Sequence, residues 1–266
     1  MTCFLITDNL LLRTIGFGLT AAAPYIVLRL RNSSDNYPLL PLPLPSMNQS
    51  ALFNFLADLA QHNEREWFQA RKPTYDQLRR EFEVLVGQIL AALAAEEPAL
   101  ATLEPKKCIF RIYRDVRFAK RKDPYKTHFS AYFAAGGKQS AGPGYYFQLG
   151  PNGQTMLAGG IYQPEKEQLA RIRQEIDYNG PALHRILEAP AFRQFFPGLE
   201  GEQLKRPPAG YPADHPDIGY LKHKSFVVSH SVPDATARQL NLAEYVPAAF
   251  RALRPFADFL REAVEG

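Results

Sequence analysis

Very little in this 266-residue chain marks a chemically specialised class. Its only cysteines are Cys3 and Cys108, so a disulfide framework is excluded and a reducing, cytoplasmic setting is expected. No CxxC pair, HExxH helix or paired DxD is present, which leaves no metal motif, and the expectation is no metal and no cofactor. The GxSxG elbow of a serine hydrolase and the GxxxxGK[ST] loop of a nucleotide triphosphatase are also missing. Gly159-Gly160 is too short for a dinucleotide fingerprint and suggests only close backbone approach. Long apolar runs are scarce too. Leu10 to Leu30 is apolar, but Arg13 and Arg29 bound it and Pro24 interrupts it, against the roughly 20 residues a membrane span needs. No membrane association is expected.

What is present divides at about Met47. Arg13, the apolar stretch and Ala21-Ala22-Ala23 imitate a signal peptide, but Asp8 precedes them and a proline-rich stretch, Tyr37 to Pro45, follows. Residues 1–46 are expected to be an unstructured or weakly structured extension, and 47–266 a single domain. At 46% hydrophobic and 22% charged residues, the chain has ample material for a core.

Helical and strand periods alternate along that domain. Leu52, Phe53, Phe55, Leu56 and Leu59 predict a helix over 50–61. Asn63 with Glu66, and Thr74 with Gln77, form capping-box patterns ahead of two further helices. The second carries a stripe from Leu78 to Leu93. Period-two alternation then predicts strands over 109–118, 128–134, 144–149 and 155–162, with Pro151-Asn152-Gly153 as a hairpin turn. Helices return after Pro164, Phe226 to Val228 is a possible edge strand, and 247–264 closes as a helix bent at Pro255. The expected fold is α+β, an antiparallel meander sheet of four or five strands packed by N- and C-terminal helices.

Several of these residues form a recognisable series. Asn63-x-Arg65-Glu66-Trp67-Phe68, Arg111-x-Tyr113-Arg114-Asp115-x-Arg117-Phe118, Asp123-Pro124-Tyr125-Lys126-Thr127-His128, Gly144-Tyr145-Tyr146 and Gly159-Gly160 resemble the bacterial and fungal family called domain of unknown function 2461. The resemblance covers 47–266 and implies no catalytic roles, so function rests on the residues themselves.

Charge is the most informative of these. Residues 106–126 hold nine basic side chains against Asp115 and Asp123, a net +7 in a chain whose total is +4, so the remainder is −3. A local excess on an acidic remainder suggests a site rather than general polyanion affinity. On the expected meander, Arg111, Tyr113 and Arg117 recur every second position, His128, Ser130 and Tyr132 follow on the next strand, and Tyr146 and Gln148 on the third. Guanidinium forks suit phosphate or carboxylate, and phenols stack on a base or sugar. Lys120, Lys122, Tyr125 and Lys126 surround the Asp123-Pro124 turn and extend the candidate site. The competing view is a solvated sheet face with ordinary cross-strand charge pairs. Arg114 falls on the apolar side, where a partner such as Asp123 or Glu66 is required.

Three functional classes fit. One is a binding module for an anionic, phosphate-bearing ligand on this face, with a small molecule favoured over nucleic acid. The second is an enzyme on a phosphorylated small molecule or nucleic acid, with His128 as acid or base. The third is an interaction protein docking an acidic partner. His215, Asp214, Asp217 and His223 are further polar candidates. Ligand identity and oligomeric state are not readable from the sequence.

Overall fold

Asn48 accepts the Ala51 N–H on its side-chain oxygen at 2.9 Å, which caps α1 (Gln49–Gln61). The computed structural model describes residues 47–117 and 119–266. Ahead of them it describes a two-residue ladder, β1 (Tyr25–Ile26) against β2 (Leu42–Pro43). Otherwise residues 1–46, and the extension, apolar stretch and linker expected there, lie outside the described residues, as does Phe118. Among the described residues no helix is long and apolar enough to cross a membrane.

After α1 come α2 (Arg65–Ala70), α3 (Lys72–Ala94) and the one-turn α4 (Pro105–Cys108). The sheet strands are β3 (Phe129–Phe133), β4 (Gly144–Leu149), β5 (Met156–Ile161) and β6 (Phe226–Ser231). They pair antiparallel in the order β3-β4-β5-β6. Between β5 and β6 run α5 (Lys166–Glu188), α6 (Pro190–Arg193) and α7 (Ile218–Leu221). Short α8 (Asp234–Ala237) and long α9 (Leu242–Glu265) complete the chain. The fold is therefore α+β, an antiparallel four-stranded sheet flanked by N- and C-terminal helices.

One sheet face is the core. Phe82 of α3 packs against Phe129 and Phe147 at 5.4 and 5.9 Å between ring centroids, and Phe250 of α9 against Tyr145 at 5.2 Å. Each such ring withdrawn from water contributes about 1.5–3 kcal/mol. Gly159 lets α9 approach β5, because a Cβ there would lie 2.7 Å from Leu253. The Tyr145 hydroxyl donates to buried Glu97 at 2.8 Å, and Glu97 in turn meets Arg261 at 2.5 Å. Burial, then the Glu97 carboxylate, pushes the Tyr145 phenol far above its ordinary range.

The strand expected over 109–118 is not formed. Alternating exposure is real there: Arg111, Tyr113, Asp115 and Arg117 are exposed, and Ile112 is buried. Pairing, however, is limited to isolated bridges, Ile109 to Ala131 and Tyr113 to Tyr125. Partners four residues apart on one side are six apart on the other, so two extra residues bulge out and break the ladder. The fourth strand is β6, which lies at an edge of the sheet as the sequence suggested for Phe226 to Val228. Outside it, Glu200 and Gln203 form single bridges to Val227 and His223.

Both expected capping boxes also fail. Asn63 does not cap α2; its amide donates to the Tyr125 carbonyl and accepts the Tyr125 N–H, each at 3.0 Å. Helix α3 begins two residues before Thr74 without a side-chain cap. Helix α9 begins at Leu242 and carries both Pro247 and Pro255 within it.

Candidate functional site

The face of the sheet opposite the core is polar. Register sets Ser130 beside Gln148, and Tyr132 beside Tyr146. It also sets Tyr146 beside Ala158, and Ala158 beside Ser229. Gly144 is required here because the Tyr132 ring occupies its side-chain space: a Cβ would fall 2.3 Å from the phenol. Hydrogen bonds run along the face. The Tyr146 hydroxyl donates to Gln148 at 2.7 Å, and the Gln148 amide donates to the Gln154 carbonyl at 2.7 Å. The Gln154 side-chain oxygen lies 3.2 Å from Nδ1 of His128. An amide oxygen only accepts, so Nδ1 carries the proton in this bond, and Nε2 holds a lone pair. Burial first, and then Lys126, push the His128 pKa below its ordinary value, against the upward pull of Gln154. Burial raises both Tyr132 and Tyr146, with Ser130 opposing it at Tyr146.

Cations gather beside this face. Phe110 lies 6.2 Å from the Tyr146 ring, and its own ring is flanked by Nζ of Lys126 at 5.3 Å and of Lys138 at 5.2 Å. The Lys138 ammonium also donates to the Ile109 carbonyl at 2.9 Å. Half-buried Lys126 is pushed below its ordinary pKa by burial, then by the charges of Arg111 and Lys138. Neither lysine has a carboxylate partner among the described residues. Desolvation plus unneutralised like charge is an arrangement that a bound anion relieves.

The ten residues expected at the site thus separate. His128, Tyr132 and Tyr146 share the polar face, while Lys126 and Arg111 are coupled by charge beside it. The other five lie elsewhere, which corrects the single-platform expectation. Buried Tyr125 stacks on Phe68 of α2 at 4.1 Å, and Tyr113 lies 5.3 Å from Tyr125. Arg117 closes on Asp115 at 2.6 Å and holds that carboxyl below its ordinary range. Lys122 donates to the Val116 and Arg117 carbonyls at 3.0 and 3.4 Å, and Lys120 is exposed at the tip. Arg114 finds Asp123 at 3.5 Å, as its position on the apolar side required, and Arg121 reaches the same carboxylate at 3.2 Å. Much of the tip's positive charge is consumed internally.

Lys138, Phe110 and Gln154 were missed from the sequence. Gly136-Gly137 before Lys138 was the available signal, since both glycines adopt left-handed backbone at the start of the β3–β4 connection. Cys108 is buried and its thiol is pushed up by burial, so it is no thiolate nucleophile. Among the described residues no cluster of three or more metal-ligating side chains occurs.

The model of a family described as conserved hypothetical proteins, domain of unknown function 2461, matches residues 51–259. The chain belongs to that family. No curated protein and no solved structure matches it. The domain of unknown function 2461 thus includes both the polar sheet face and the cations beside it.

A second polar cluster joins α5 to the loop before α7. Buried Asp217 contacts His184 Nε2 at 2.5 Å, and its N–H donates to His215 Nδ1 at 3.0 Å. His215 Nε2 reaches Asp177 at 2.9 Å. His223 is buried near Gln203, and Asp214 is exposed. Each ring of the chain His184–Asp217–His215–Asp177 is spent on a tie between the two elements, which is a structural use.

Proposed function

We propose that this protein binds a small phosphate-bearing anion where Lys126, Lys138 and Arg111 converge beside the polar face of the sheet. The observation that carries this reading is the half-buried Lys126, held against Phe110 with a second lysine and an arginine near it. A structural lysine gains a carboxylate or stays fully in water; this one is partly withdrawn from water without a carboxylate, and a phosphate supplies the missing counter-charge. Tyr132, Tyr146 and His128 offer phenols and a neutral imidazole alongside. A small ligand is favoured over nucleic acid because Arg114, Arg117, Arg121 and Lys122 already have partners. The buried, unpaired Cys108 supports a cytoplasmic setting.

An enzymatic version of this reading takes His128 as a general base. Its support is the tautomer: Nδ1 is held by Gln154, so the basic Nε2 is available at neutral pH.

The experiment is thermal denaturation of the full chain with and without inorganic pyrophosphate. Ligand at 100 times its Kd stabilises the folded state by about 2.7 kcal/mol. Lys126→Ala with Lys138→Ala abolishes the shift, whereas Lys120→Ala with Lys122→Ala retains it. Equal loss in both pairs contradicts a local site.

A further inference from the structure

Beyond Phe110 the polar face continues into an open cleft of 390 Å³ between the β3–β4 connection and the link from β5 to α5. That volume falls at the lower end of the roughly 300–1,000 Å³ range of small-molecule sites. Its polar and aromatic chemistry comes from Tyr132, Lys138, Gln139, Tyr162 and Gln163, with one carboxylate, Glu165, also in the lining. A second concavity, of 400 Å³, is lined by Ala235, Thr236, Gln239 and Leu240 and holds neither a charge nor an aromatic ring.

Three features of the cleft point to one ligand class. The first is aromatic: Tyr162 is 73% exposed and lines the cleft, with half-buried Phe110 also in the wall. Exposed rings of this kind offer stacking surface to a planar partner. The second is a pair of uncharged amides, Gln139 and Gln163, whose side chains have no hydrogen-bond partner among the described residues. An amide presents a donor and an acceptor side by side, the complement of a purine edge. Gln163 reaches its position through left-handed backbone, φ 49°, uncommon in a non-glycine residue and fixed by its N–H donating to Ser225 at 2.9 Å. The third is the cation: Lys138 lines the cleft and shares the Phe110 ring with Lys126. The walls are anchored rather than loose, because Gln168 donates to the Ala141 carbonyl at 2.9 Å and accepts the Glu165 N–H at 3.3 Å. Those bonds also occupy the start of α5, where the Glu165 carboxylate is held by the Gln168 N–H, so Lys138 is the cleft's cation and Glu165 its one carboxylate.

We infer that the cleft binds a purine mononucleotide, with the base against Tyr162 and the two glutamines and the phosphate at Lys138. This rests on the anion site proposed above and adds to it a base-recognition subsite. A phosphate alone engages one end of the cleft; a nucleotide engages both.

The test is calorimetric titration of the full chain with AMP, ribose 5-phosphate and adenosine. AMP is expected to bind at least tenfold more tightly than ribose 5-phosphate. Tyr162→Ala is expected to reduce AMP affinity to that of ribose 5-phosphate while leaving the sugar phosphate unchanged. Lys138→Ala is expected to weaken both. Tyr162 is exposed enough that its replacement leaves the fold intact, which far-ultraviolet circular dichroism verifies. If AMP and ribose 5-phosphate bind equally and Tyr162→Ala changes neither, the base subsite is refuted and the anion site stands. Binding of adenosine as tightly as AMP, with no response to Lys138→Ala, refutes the phosphate contact at Lys138 and with it the mononucleotide assignment.

Discussion

Single side chains decide how close the polar face can come to being a site. Gly144 leaves room for the Tyr132 phenol, so Gly144→Ala forces a methyl into the ring and is expected to cost about 1–3 kcal/mol in urea denaturation. Retention of wild-type stability would mean that the ring lies elsewhere. His128, His223 and His230 all have folded-state pKa values pushed below the ordinary one, in each case first by burial. Below about pH 6.5 the unfolded chain binds protons that these folded rings refuse, so stability falls as pH falls through that value. Each histidine contributes up to about 1.4 kcal/mol per pH unit, less for the partly exposed His230. His128→Gln is expected to flatten the acid limb of a stability-against-pH curve measured by denaturant titration. An unchanged slope would place His128 in water.

At the scale of elements, the tie between the α1–α2 link and the basic segment is Asn63. It satisfies both main-chain polar groups of buried Tyr125, and Asn63→Ala leaves an N–H and a carbonyl unpaired. The expected loss is about 1–3 kcal/mol, concentrated in residues 109–128, where hydrogen exchange of amides such as those of Arg114 and Lys126 should accelerate. Uniform acceleration across the sheet would contradict a local tie. The same side chain shows where sequence reading stops. Asn63 followed by Glu66 has the spacing of a capping box, and only tertiary contact reveals that its amide is used on a residue 62 positions away. Residues 144–149 and 156–161 were legible because alternation there coincides with a ladder, and the left-handed Asn152-Gly153 turn joins them. In 109–117 alternation of exposure survives without the ladder, since a strand-like backbone beside a sheet alternates whether or not it pairs. Period-two patterning reports burial, not hydrogen bonding.

Over the whole molecule, concentrated charge draws attention to the segment around Lys126 but does not distinguish the groups within it. The count over 106–126 could not separate Arg117, Arg121 and Lys122, which are tied to Asp115, Asp123 and main-chain carbonyls, from Lys126. Nor could it include Lys138, which a hairpin connection returns to Phe110 from outside the basic run. The sheet brings these groups to the edge of one polar face while α3 and α9 seal the other, so the proposed site and the core occupy opposite sides. The proposed anion site depends on Lys126 being a partly desolvated cation without a carboxylate partner. Nuclear magnetic resonance titration of lysine Cε resonances tests this directly. Lys126 is predicted to titrate below the exposed lysines, and to move upward when inorganic pyrophosphate is added while Lys120 stays fixed. A Lys126 that titrates with the surface lysines and ignores pyrophosphate would contradict the anion site.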